Sequence, residues 1–327
     1  MLTRDDIRGL VALPSTPTKP NGGGWDAFDS VDLDETASLI EKLIAGGCAA
    51  IGLAGTTGEC AALLAEEKRD LVATAVETAR GRVPIIGGAT ALGTKDVVRQ
   101  MRSLKDVGAS ACLIGLPLWQ TPTLEMMIQF YADLSEAVPD MPVMVYANSM
   151  FFKSNFPTEF WAGLVGKAPT VIMCKVSYGI EHIVEDLDAA ERQINFVVGE
   201  SGLFDAYKKA GTRITAGWAT SVGMGPEPVV ALMDAILADD RARAEQVAAD
   251  LKSLPPTFPP PHEFRQEFPK YNAQVNKYLA NKAGYANFGP FRAPYTDLPE
   301  EFRQQLDVVA EARKALRAKY ARVAASS

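Results

Sequence analysis

Histidine and cysteine are scarce in this chain of 327 residues, and each scarcity excludes a chemistry. The two histidines are His182, in a predicted helix, and His262, in a proline-rich stretch, so a multi-histidine metal site cannot be built. The four cysteines, Cys48, Cys60, Cys112 and Cys174, lie among small or apolar residues without C-x-x-C spacing. They read as buried free thiols rather than a disulfide framework or a zinc knuckle. A carboxylate-held magnesium is left open by composition but has no motif, and no metal or organic cofactor is expected. No apolar run approaches the roughly 18 residues that span a bilayer, and Met1-Leu2-Thr3-Arg4-Asp5-Asp6 has no apolar signal core. A soluble, cytoplasmic protein without membrane contact is the expectation. Basic residues are outnumbered, 33 against 40 acids for a net charge of −7, and form no block, which sets nucleic acid aside.

What is present is ordinary globular composition, 47% hydrophobic and 22% charged, in a chain long enough for one large α/β domain and an extension. From residue 9 to about 240, β-rich runs alternate with helical stretches in eight units. The predicted strands are Gly9 to Pro14, Ala49 to Ala54, Val83 to Gly88, Ala111 to Leu116, Pro142 to Ala147, Val171 to Ser177, Ile194 to Gly199 and Arg213 to Trp218. Many are near-continuous apolar runs, as strands covered on both faces should be. Between them lie helix signals such as Asp32-Leu33-Asp34-Glu35, with Asp32 as cap, opening Thr36 to Ala45 before Gly46-Gly47 stops the helix. The fold predicted for residues 1–240 is an α/β (β/α)8 TIM barrel, with a doubly wound open sheet as the alternative. Residues 241–327 change character: an Ala/Arg-rich helix, a helix-breaking connector from Leu254 to Pro261, then helices over Phe268 to Ala283 and Glu300 to Ala325. They predict a C-terminal helical extension packed on the barrel. No shorter repeat or low-complexity tail accompanies them.

In a barrel of this kind, reactive groups come from the C-terminal strand ends and the loops after them. Lys175, within Val171-Ile172-Met173-Cys174-Lys175-Val176, is the most informative residue, because an ammonium in an apolar strand is costly unless paired or neutral. Lowering a lysine pKa from about 10.4 by about three units costs roughly 4 kcal/mol and yields a usable amine nucleophile, suited to imine formation with a ketone. Position alone leaves open a lysine that reaches solvent or pairs with an acid. Tyr146 ends the preceding strand at the same level, where a phenol could shuttle protons; the alternative is a core tyrosine with one hydrogen bond. Gly55-Thr56-Thr57-Gly58-Glu59 follows the second strand, and its glycines, hydroxyls and exposed amides suit a carboxylate, although Gly/Thr turns are common after strands. Gly22-Gly23-Gly24 reads as a flexible loop, and Gly223-Met224-Gly225-Pro226 as a turn before a helix or a phosphate loop. Taken together, the turn, the tyrosine and the lysine suit a 2-oxo acid.

These residues resemble the dihydrodipicolinate synthase and N-acetylneuraminate lyase superfamily of pyruvate-dependent class I aldolases, over nearly the whole chain. Tyr146-Ala147-Asn148, Ile214-Thr215-Ala216-Gly217-Trp218, Lys270-Tyr271-Asn272 and Gly289-Pro290-Phe291-Arg292-Ala293-Pro294-Tyr295 look most like its aromatic hydratase-aldolase branch. The resemblance implies that Lys175 is the Schiff-base lysine, Tyr146 the proton shuttle helped by Thr56, and Thr56, Thr57 and Gly58 the holders of the pyruvyl carboxylate. It further implies that Trp218 and Asn272 shape an aryl pocket, against the alternatives of a packing tryptophan and a surface asparagine. The chain departs from the synthase branch at two places: Ala147 to Lys153 lacks its substrate-binding arginine, and Trp119 stands where that branch has a relay tyrosine. Ser149 also replaces a proline common in the hydratase-aldolases.

The reaction implied is hydration and cleavage of an aryl-substituted 2-oxo-but-3-enoate to pyruvate and an aromatic aldehyde, without metal or cofactor, in aromatic hydrocarbon catabolism. A pocket of Trp119, Phe151, Phe152 and Trp218 is expected to favour aromatic aldehydes. The resemblance also implies a homo-oligomer, commonly a tetramer. Two other readings are an aldolase for sugar-acid or aliphatic substrates and a catalytically silent 2-oxo acid binding protein. A metal-dependent aldolase is disfavoured by the two separated histidines.

Overall fold

Eight short apolar strands close a parallel barrel in the order in which the chain makes them: β1 (Gly9–Ala12), β2 (Ala50–Leu53), β3 (Ile85–Gly88), β4 (Ala111–Ile114), β5 (Val143–Ala147), β6 (Val171–Val176), β7 (Asn195–Gly199) and β8 (Ala216–Ala219). The computed structural model describes residues 1–177, 179–258 and 264–321. Nearly every strand residue is buried, because side chains pointing inward fill the barrel and those pointing outward meet the helices. β1 pairs with β8 through Val11 and Trp218, which completes the ring and excludes the open-sheet alternative.

The helices are α1 (Leu33–Ala45), α2 (Ala65–Ala79), α3 (Thr94–Asp106), α4 (Leu124–Ala137), α5 (Ser149–Phe152), α6 (Thr158–Leu164), α7 (Ile183–Ala189), α8 (Leu203–Ala210), α9 (Glu227–Leu237), α10 (Arg241–Lys252), α11 (Phe264–Ala283) and α12 (Glu300–Tyr320). Asp32 caps α1 by accepting from the Glu35 amide at 3.0 Å, as its spacing predicts. Glu35 leaves the capping box and accepts from the Asn287 amide instead, tying α1 to the C-terminal segment. Among the described residues no helix is long and apolar enough to cross a membrane.

Several boundaries differ from expectation. Arg213 sits in a 3-10 turn and β8 starts at Ala216, since Gly211 with φ +59° bends the chain just before it. His182 lies just ahead of α7 rather than inside it. α11 begins four residues before Phe268 and runs through Pro269, which lies inside the helix and supplies no N–H to it. α12 ends at Tyr320; the predicted continuation from residue 322 lies outside the described residues, as do His262 and the end of the proline-rich connector.

α11 and α12 pack side by side in the same direction, Tyr271 against Phe302 and Tyr278 and Lys282 against Asp307, around a second apolar cluster that includes Phe258, Val275, Leu279, Phe302 and Leu306. This pair stands at the C-terminal mouth of the barrel, so the extension supplies part of the cavity wall described next.

Candidate active site

A cavity of about 630 Å³ opens at the C-terminal ends of the strands. Lys175 of β6 lies at its base and is only 5% exposed. Its Nζ donates to Ser177 Oγ at 2.7 Å and sits 3.6 Å from the Trp218 ring centroid and 4.1 Å from that of Tyr146. No carboxylate pairs with it among the described residues. Burial therefore holds its pKa well below the ordinary lysine range and favours the free amine.

Tyr146 is the strand-to-strand partner of Lys175, and a register shift at the start of the β5–β6 ladder makes it so. Val143 pairs with Val171, but Met144 pairs with Met173, leaving Ile172 as an extra residue in β6. Side chains alternate along a strand, so without that residue the tyrosine would lie opposite Cys174, whose side chain points to the other face. The Tyr146 hydroxyl donates to Thr56 Oγ1 at 3.2 Å and accepts from Asn148 Nδ2 at 3.5 Å. Burial pushes its pKa up to about 12, which keeps the phenol protonated as a donor and relay.

The turn after β2 is held by bonds from the Glu59 amide to Thr56 O at 3.0 Å and from the Cys60 amide to Gly55 O at 3.1 Å. The amides of Thr57 and Gly58 donate to no acceptor among the described residues and are free for an anion. Gly58 is required here: a Cβ would lie 2.9 Å from the Ala54 nitrogen and force the turn open. From α11, Asn272 Oδ1 accepts from Thr57 Oγ1 at 3.4 Å.

Trp218 of β8 forms the wall beside the lysine. Its indole N–H donates to Val176 O at 2.8 Å, and its ring fills the space that a side chain at Gly199 would need, with a Cβ there 2.9 Å from Cζ2. Farther out the cavity is apolar along Met224, Phe258, Phe268 and Leu279. Polar groups also line it, among them Asn276, Ser201 and Glu200. Glu200, after β7, accepts from Ser221 Oγ and faces Arg313 of α12 at 3.7 Å, while the buried Arg313 Nε has no acceptor among the described residues.

Lys175, Tyr146, Thr56, Thr57, Gly58, Trp218 and Asn272 thus share one cavity. Trp119 does not reach it. It is 77% exposed, because β4 ends at Ile114 and the chain has left the mouth before residue 119. Phe152 packs behind Tyr146 at 5.2 Å between ring centroids, and Phe151 backs Phe268 at 6.1 Å, so neither lines the cavity. The aromatic wall comes instead from Phe258 and Phe268 of the C-terminal segment. Ser177 was legible in principle, since it lies two residues after Lys175 and shares its side of the strand. Asn148, Glu200 and Arg313 carry no local signal.

A family model for the dihydrodipicolinate synthetase family matches residues 7–313. The chain is 39% identical to the trans-o-hydroxybenzylidenepyruvate hydratase-aldolase of Pseudomonas putida, over 98% of this chain and 97% of that protein. It is 32% identical to the trans-2'-carboxybenzalpyruvate hydratase-aldolase of a Nocardioides species, over 98% and 96% of the two chains. Among solved structures it resembles PhdJ bound to substrate intermediate, with a TM-score of 0.93 and 33% identity over 98% of this chain and 99% of that one.

Proposed function

We infer the reaction from one premise: the chain belongs to the dihydrodipicolinate synthetase family. It is a pyruvate-forming hydratase-aldolase, a class I carbon–carbon lyase acting on aryl-substituted 2-oxo-but-3-enoates. The observation that carries the reading is a buried amine with no counter-ion among the described residues, beside a phenol–hydroxyl relay and an amide-lined turn, in a cavity whose outer part carries Met224, Phe258, Phe268 and Leu279.

The Thr57 and Gly58 amides, with the Thr56 hydroxyl nearby, hold the substrate carboxylate and align the neighbouring ketone with Lys175. The amine attacks that carbonyl, and loss of water leaves an iminium conjugated with the alkene. Water adds to the carbon next to the ring, and the adjacent carbon takes a proton, which completes hydration. Tyr146 and Thr56 then carry away the proton of the new hydroxyl. The carbon–carbon bond breaks, its electron pair moves toward the iminium as an enamine, and the aromatic aldehyde leaves. Protonation of the enamine and hydrolysis of the imine release pyruvate and restore the amine. Trp218 and Asn272 flank the reacting chain, and Phe258 and Phe268 cover the ring. In the cell we assign the enzyme to aromatic hydrocarbon catabolism in the cytoplasm, as a homotetramer, which sedimentation would test.

The direct experiment is peptide mass spectrometry after incubation with pyruvate and borohydride, with Lys175→Ala in parallel, followed by turnover assays with arylidene pyruvates. A reduced adduct on the Lys175 peptide, absent from the variant, and release of aromatic aldehyde are expected. Pyruvate binding without an adduct would replace this reading by a 2-oxo acid binding protein. Cleavage of polyhydroxylated substrates in preference to aromatic ones would overturn the aryl assignment.

A further inference from the structure

Behind the amide-lined turn lies a buried charge cluster that the mechanism does not use. Glu59, with φ +59°, follows Gly58 and turns its carboxylate away from the cavity. Two cations from the C-terminal segment meet it there. Lys277 of α11 is fully buried and approaches Glu59 Oε2 at 2.7 Å, and Arg292 donates to the same oxygen through Nη1.

Arg292 is itself held on every side. Its Nε donates to Ser30 Oγ at 2.8 Å, its Nη1 also to Thr16 O at 3.2 Å, and its Nη2 to Pro17 O at 2.8 Å and Ser30 O at 3.3 Å. All five guanidinium hydrogens are therefore used. Lys277 also donates to Thr18 Oγ1, and Thr16 Oγ1 donates to Gly58 O at 2.8 Å. The segment after β1 is thus bound to the turn and to both cations.

The placement of these bonds around Gly58 matters. α11 reaches Thr57 through Asn272 and Glu59 through Lys277, so one helix grips the residues on both sides of Gly58. A left-handed conformation at a non-glycine residue persists only where its surroundings hold it, and here this pair of cations adds to the backbone bonds of the turn.

We propose that Lys277 and Arg292 are positioning residues for the carboxylate-binding turn: acting through Glu59, they fix the direction of the Thr57 and Gly58 amides. The C-terminal extension thereby sets the affinity for the 2-oxo acid. The proposal rests on the assignment of that turn to the substrate carboxylate.

The test is the pyruvate concentration that half-saturates borohydride trapping on Lys175, measured with the full chain for wild type, Lys277→Met, Lys277→Arg and Glu59→Gln. Lys277→Met is expected to raise that concentration at least tenfold, with the trapping rate at saturation within about threefold of wild type. Lys277→Arg is expected to recover most of the loss, and Glu59→Gln, which keeps the side chain's length and removes its charge, to behave like Lys277→Met. If Lys277→Met does not fold, Glu59→Gln alone decides. Lower melting temperatures with unchanged half-saturation would overturn the proposal and leave the cluster a structural one. Absence of any adduct in the wild type would defeat the aldolase reading instead, so the two failures are distinguishable.

Discussion

The hydroxyl of Tyr146, at the end of β5, donates to Thr56 Oγ1 in the turn after β2, across 3.2 Å of the barrel mouth. The bond joins the group that can move a proton to the turn that can hold the substrate. It predicts separable defects. Tyr146→Phe should lower kcat by ~10²–10⁴ while the pyruvate adduct on Lys175 still forms, because the relay serves bond cleavage more than binding. Steady-state turnover of an arylidene pyruvate beside borohydride trapping checks this; a kcat within a few-fold of wild type would remove Tyr146 from the chemistry.

The depressed pKa of Lys175 sets the sign of the pH response. The proposed nucleophile is the free amine, so kcat/KM should rise with pH through the lysine's pKa, with the limb well below the ordinary lysine range. Burial is the cause, and the Trp218 ring stands 3.6 Å from the amine. Trp218→Ala should admit water, raise the pKa and move the limb to higher pH, each unit costing about tenfold in free amine at neutral pH. A limb that stays in place would mean that the indole does not control the amine.

The same burial makes Lys175 a cost to stability. With a folded-state pKa below the unfolded value, the unfolded chain binds more protons between the two, so this residue makes the fold more stable as pH rises through that window. Lys175→Met should abolish turnover, raise the melting temperature at neutral pH and remove this part of the pH dependence. Each ~1 kcal/mol recovered corresponds to roughly 2–4 °C in domains of about 150–250 residues. Calorimetry across pH measures it, and a lower melting temperature would show that the lysine is a net stabiliser.

Phe268 and Arg313 predict how the outer cavity treats the ring. Removing the Phe268 ring forfeits about 1.5–3 kcal/mol of apolar burial, so Phe268→Ala should raise KM for arylidene pyruvates by roughly ten- to a hundredfold and leave pyruvate half-saturation unchanged. Arg313→Met should act only on substrates whose ring carries a polar group, since the guanidinium faces Glu200 at the cavity wall. Comparison of substituted and unsubstituted rings reads this; equal losses on both would assign Arg313 to support of the wall.

The contributions of sequence and structure divide along particular residues. Lys175 was legible because an ionisable group in an apolar strand violates a local rule, and Tyr146 because it ends the neighbouring strand. That they would meet at one mouth was expected from their strand ends, but the register that pairs them was not legible. It depends on Ile172 adding one residue to β6, and nothing in a run of apolar residues shows where a ladder shifts. Trp119 shows the opposite error: an aromatic residue a few positions past a strand end looks like pocket wall in sequence, yet the chain carries it outward to 77% exposure.

The barrel itself followed from the sequence, since alternation of apolar strands with capped helices is a local, periodic property that each segment carries alone. The sequence also pointed to the proposed nucleophile and the proposed carboxylate-binding turn, whose chemistry resides in neighbouring residues. The cavity's aromatic wall, the Glu200–Arg313 pair and the grip of Lys277 and Arg292 on Glu59 were decided by tertiary structure. The two cations approach Glu59 from more than two hundred residues along the chain, and only closure of the barrel and docking of α11 at its mouth bring them together.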